Sequence, residues 1–126
     1  MTKTEENDKL AADFETLLIK ELQKRGVHFT KATAHNFANV NIDVHIYIED
    51  YWMRDLFKYI GLGRLHRDYL RAGVSLETYV KGYVDRELED LQREIDYALS
   101  GKSWSVSAEQ QESARKIKSW LGDNNG

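Results

Sequence analysis

Between Ser75 and Leu99 the chain carries its longest regular apolar pattern. Leu76, Val80, Val84, Leu88, Leu91, Ile95 and Leu99 recur at steps of three or four, and Tyr79, Tyr83 and Ala98 widen the stripe. That is the spacing of one buried helix face. It predicts a long central helix over about 75–100, with Ser75 as N-cap, Glu77 in the first turn and Gly101 closing it. A helix with so wide an apolar stripe must be covered by other elements.

A second amphipathic face, Leu10, Phe14, Leu17, Leu18 and Leu22, predicts a helix from about Asp8 to Arg25, with Gly26 at its left-handed end. Residues 1–7 contain no apolar anchor and are expected to form a mobile tail. Val40, Ile42, Val44, Ile46 and Ile48 alternate with Asn41, Asp43, His45, Tyr47 and Glu49. Five β-branched residues at period two predict a half-buried strand over 40–48. Its backbone groups require a partner. The candidates are a short strand at about 27–32, the Ser103-Trp104-Ser105-Val106 segment, or the same strand of a second copy; the hairpin is topologically simplest.

Asp50 is placed to cap a further helix with Trp52, Met53, Leu56, Phe57 and Ile60 on one face, broken or kinked at Gly61 and Gly63. Arg64 to Arg71 resumes as a short helix ending at Gly73. Ser107 and Gln110 form a capping box for a last helix that buries Ala108, Ala114, Ile117, Trp120 and Leu121, and Gly122 ends it before a mobile tail at 122–126. The predicted class is α+β, mostly α-helical. Four to five helices surround the long central helix, beside a two-stranded antiparallel element at about 27–32 and 40–48, in one globular domain over 1–126.

Composition removes several chemistries. The chain has no cysteine, which excludes disulfides, thiolate nucleophiles and zinc–cysteine or iron–sulfur sites. Its N-terminus is polar and no run approaches a membrane span, so the expected setting is cytoplasmic, without a membrane partner. A net charge of −3 argues against holding nucleic acid by overall charge. Charge is nevertheless segregated. Arg54, Lys58, Arg64, Arg67 and Arg71 face only Asp55 and Asp68 in their stretch, whereas Asp85, Glu87, Glu89, Asp90, Glu94 and Asp96 face only Arg86 and Arg93.

The basic segment is the leading candidate site. Arg64, Arg67 and Arg71, spaced three and four apart, share a helix face, with Lys58, Tyr59 and Tyr69 beside them and Trp52 as a further neighbour. Guanidiniums next to aromatic rings clamp carboxylates or phosphates bidentately. The competing reading is that they pair with the chain's own acids, most simply those of the following helix. On the acidic run, Arg86–Asp90 and Glu89–Arg93 read as ordinary i,i+4 pairs. Asp43 and His45 project from one side of the strand and could form a carboxylate–imidazole pair for acid–base work. No third catalytic group accompanies them, no histidine stands at metal-ligand spacing, and Gly61-Leu-Gly63 lacks the remainder of a phosphate loop.

The sequence therefore points to a small non-enzymatic regulatory protein that contacts another, acidic protein through Arg64, Arg67, Arg71, Lys58, Tyr59 and Tyr69, without cofactor or metal. Nucleic-acid binding through the same arginines ranks second, and an enzyme using Asp43 and His45 third. From Val84 onwards the central stripe also fits a two-heptad coiled-coil seam, which allows a homodimer.

Overall fold

The computed structural model describes residues 1–53, 55–102 and 105–124. Helix α1 (Lys3–Lys24) leads into three strands, β1 (Phe29–Phe37), β2 (Asn41–Ile48) and β3 (Leu56–Gly61). A short α2 (Leu62–Arg64) passes into a π-helical turn (Leu65–Leu70), and two helices follow, α3 (Leu76–Leu99) and α4 (Ala108–Asn124). The class is α+β and mostly helical, and the long central helix is α3. Its predicted stripe is buried: Val80, Tyr83, Val84, Leu88, Leu91, Ile95 and Ala98 lie in the core. Ser75 caps α3 by accepting from the Thr78 amide, and Ser107 and Gln110 complete the expected capping box on α4. α3 packs between α1 and α4, while α1 also covers β1. Phe14, Leu18 and Leu22 of α1 and Ile117 and Leu121 of α4 close the core around it. Each side chain so buried contributes about 1.5–3 kcal/mol relative to exposure.

The sheet is wholly antiparallel in the order β1-β2-β3. Ala32, Ala34, Ile42, Val44, Ile46, Ile48 and Ile60 face the core. On the opposite face the register aligns Thr33, His45 and Phe57 in one row and His35, Asp43 and Tyr59 in the next. The hairpin between β1 and β2 is therefore the partner of the predicted strand, and β1 runs on to Phe37 rather than stopping near residue 32. Of the alternative segment at 103–106, positions 103 and 104 lie outside the described residues, as does Arg54.

Three expectations are overturned. The helix predicted over 50–60 is instead a turn followed by strand β3, and Asp50 sits at φ 65° as a turn residue rather than an N-cap. Leu56, Phe57 and Ile60 suit either spacing, but as a strand they extend the sheet on β2, where Leu56 meets Ile46 and Ile60 meets Ile42. Gly61 consequently marks the junction of strand and helix, not a kink. At the N-terminus the helix begins at Lys3, not Asp8, because polar bonds replace the missing apolar anchor. Thr2 caps it, Asn7 is buried and donates to Asn39, Asp8 accepts from Asn36, and Thr4 accepts from Asn39. At the other end α4 continues through Gly122 to Asn124. No described helix is long and apolar enough to cross a membrane.

Candidate partner-binding groove

β3 is an edge strand, and α3, held by α1 and α4, runs beside it across an open gap. Two adjoining cavities occupy this gap. The first, about 280 Å³, is lined by Tyr59, Ile60 and Gly61 of β3, by Arg64, Leu65 and Tyr69, and by Tyr79 and Arg86 of α3. The second, about 330 Å³, is lined by Leu56, Phe57 and Lys58 with Tyr51, Met53 and Asp55, and by Glu87, Asp90, Arg93 and Glu94 of α3. Every residue of β3, from both faces of the sheet, lines one or the other. Arg86 and Glu87 are neighbours on α3, so the two cavities are successive ends of one groove along the strand edge.

The first end is basic and aromatic. Arg64 and Arg86 come from different elements, and no carboxylate lines the cavity they share with three tyrosines. Arg64 is 72% exposed, and its only ion pair among the described residues is a loose one to Asp68 at 3.8 Å. Tyr69 and Tyr79 meet edge to face at 4.7 Å between ring centroids, and Tyr59 is 66% exposed. Burial pushes the Tyr79 hydroxyl above its ordinary pKa against the opposing pull of the Arg86 guanidinium, so the ring stays a neutral donor beside that charge.

The second end is acidic, and most of its charges are already engaged. Asp90 pairs with Arg93, Glu94 accepts from the Tyr51 hydroxyl, and Asp55 pairs with His45. Among the acids Glu87 is the exception: the residue is only 5% exposed and accepts a hydrogen bond from no described residue. Burial raises its pKa above the ordinary carboxylate range, partly offset by the positive charge of Lys58.

The three predicted arginines do not share one site. Arg64 belongs to the groove, whereas Arg67 and Arg71 line a separate cleft of about 860 Å³ with Lys3, Asn39 and His66. The reason is the π-helical turn, in which Arg71 donates its amide to the carbonyl of His66, five residues back. A π turn holds more residues than an α turn, so positions three apart separate around the axis while Arg67 and Arg71, four apart, stay together. Tyr59, Tyr69 and Lys58 do lie on the groove, Lys58 at its acidic end. Arg64 and Arg67 both pair with Asp68 on their own turn rather than with the acids of α3. Those acids are used elsewhere, Asp85 by Arg25, which caps the C-terminus of α1, and Asp96 by Lys118 of α4.

Asp43 and His45 are not paired either. His45 takes Asp55 and packs tilted against Phe57, while Asp43 Oδ1 is buried with no hydrogen-bond partner among the described residues, between His35 and Tyr59 in the register. Among the described residues no cluster of three His or carboxylate groups could hold a metal ion. Sequence reasoning missed Tyr79, Arg86 and Glu87. Tyr79 and Arg86 stand seven apart on the predicted central helix, hence on one face, and that spacing was the available signal. Comparison of the chain with protein-family models, with curated proteins and with solved structures found no match.

Proposed function

We propose that the protein is a non-enzymatic binding protein that captures an acidic segment of a partner protein at the basic end of this groove. One observation carries the reading: Arg64 and Arg86, held by separate elements, line the same cavity with Tyr59, Tyr69 and Tyr79 and with no carboxylate. Two planar guanidinium forks beside neutral phenol donors suit a carboxylate, which each fork can bind through two parallel hydrogen bonds. Arginine and tyrosine are also the residue types that dominate binding energy at protein interfaces. A nucleic-acid backbone fits less well. It would have to run past Glu87, Asp90 and Glu94 at the other end of the groove, and its repeated charge would be repelled there.

Fluorescence anisotropy with a labelled octapeptide containing two adjacent glutamates tests the proposal. Arg64→Ala and Arg86→Ala are each expected to weaken binding about tenfold, equivalent to about 1.4 kcal/mol, while the melting temperature moves little because both side chains are exposed. Unchanged affinity in both variants would discard the reading. A labelled single-stranded RNA or DNA of twenty nucleotides, bound with steep salt dependence and lost in the same variants, would transfer the site to nucleic acid.

A further inference from the structure

We infer that the partner's segment enters as an added β-strand on the open edge of β3, antiparallel to it, with an acidic residue at the Arg64–Arg86 end and a basic one at the Glu87 end. The inference rests on the binding reading above and specifies the form of the ligand. The two edges of the sheet are treated differently. On β1, helix α1 packs against the strand and Glu15 Oε1 accepts the amide of Ala34 at 3.0 Å, which blunts that edge. On β3 the backbone groups of Phe57 and Tyr59 point outward in the register, and no described residue takes them, whereas Gly61 caps α2. An unpaired strand edge is a template for another strand, and main-chain hydrogen bonds supply affinity while pockets for side chains supply selectivity.

The groove fixes what kind of strand fits. Its two ends carry opposite charge, and Glu87, a residue only 5% exposed, lines the acidic end and accepts no hydrogen bond from a described residue. A lysine or arginine from the partner would supply the missing donor. An antiparallel strand starts at the Gly61 end and finishes at the Leu56 end, so the acidic residue precedes the basic one in the partner's sequence. A second copy of β3 is the poorer occupant, because its sequence Leu-Phe-Lys-Tyr-Ile-Gly offers no acidic residue to the Arg64–Arg86 end.

The probe is the synthetic peptide acetyl-Asp-Glu-Val-Thr-Val-Thr-Lys-Arg-amide, titrated into the full chain and followed by amide hydrogen exchange and calorimetry. Slowed exchange of amides in residues 56–61, and at least tenfold weaker binding when alternate peptide nitrogens are methylated, are expected, because methylation removes strand donors and leaves the side chains. The same peptide in reversed order should bind at least tenfold more weakly. Binding that depends on Arg64 and Arg86 but ignores methylation would leave the acidic-segment reading standing and overturn strand addition. Equal binding of the reversed peptide, no saturable binding of the parent peptide, or slowed exchange of residues 56–61 with rising protein concentration alone would each overturn it too, the last by assigning the edge to a second copy.

Discussion

At the scale of single residues, two side chains occupy positions that cost stability, and each predicts an effect. Glu87 is largely buried and accepts no hydrogen bond from a described residue, and burial raises its folded pKa. For an acid the sign is definite: below the ordinary carboxylate pKa both folded and unfolded forms are protonated, and no stability is lost. As pH rises through the window up to the raised folded value, the folded form holds a proton that the unfolded form has released, so stability falls with pH. Glu87→Gln removes that loss. The variant should melt higher than the parent near pH 7 and at the same temperature near pH 4, as scanning calorimetry at the two values would read. The second position is Ala38, which sits at φ 53° in the hairpin turn between β1 and β2 beside Asn39 at φ 59°. Left-handed backbone suits Asn but strains Ala. Ala38→Gly is expected to stabilise by about 0.5–1 kcal/mol, measured as a higher urea midpoint with unchanged slope.

At the scale of elements, legibility followed how exclusively one period explained the residues. The stripe of α3 and the alternation of β2 admit one reading each once burial is considered, and both elements formed as predicted. β3 was misread because six residues offer little periodicity, and because Lys58 occupies the inward register between Leu56 and Ile60 and so breaks the apolar alternation. The start of α1 was misread for a different reason. Its anchor is a set of side-chain amides, a threonine and a carboxylate that bond the hairpin, Asn7 and Thr4 to Asn39 and Asp8 to Asn36, and such contacts span about thirty residues of sequence with no local pattern. Of the site, Arg64, Tyr59 and Tyr69 were readable as a basic–aromatic segment. Arg86 and Glu87 were hidden within a charged run whose surface pairs looked sufficient. Edge protection is the element-scale feature open to test. Glu15→Ala leaves the Ala34 amide without its acceptor, which should cost about 1–2 kcal/mol. With that edge unblunted, the variant should also aggregate faster on mild heating than the parent, as light scattering would show.

At the scale of the whole molecule, α3 joins parts that would not hold together without it. α1 reaches it through Arg25, which pairs with Asp85 and donates to the carbonyl of Lys81 at 3.2 Å, and through Phe14 against Tyr83. α4 reaches it through Ile117 and Leu121 in the shared core and through Lys118 on Asp96 at 3.1 Å. α4 also contacts the start of the sheet region, where Trp120 stacks on His28 with centroids 5.1 Å apart. Because one apolar cluster includes residues of both outer helices and the sheet, loss of either helix uncovers the same core. The chain should therefore unfold as one cooperative unit. Leu18→Ala in α1 and Ile117→Ala in α4 each remove a fully buried side chain, a change that costs about 2–5 kcal/mol. In both variants the tryptophan fluorescence and the far-ultraviolet circular dichroism should still report one shared, lowered urea midpoint. A separate early transition in the Ile117→Ala variant, seen by fluorescence but carrying only a small part of the helical signal, would mean that α4 detaches alone and that the groove wall is held by α1 and the sheet.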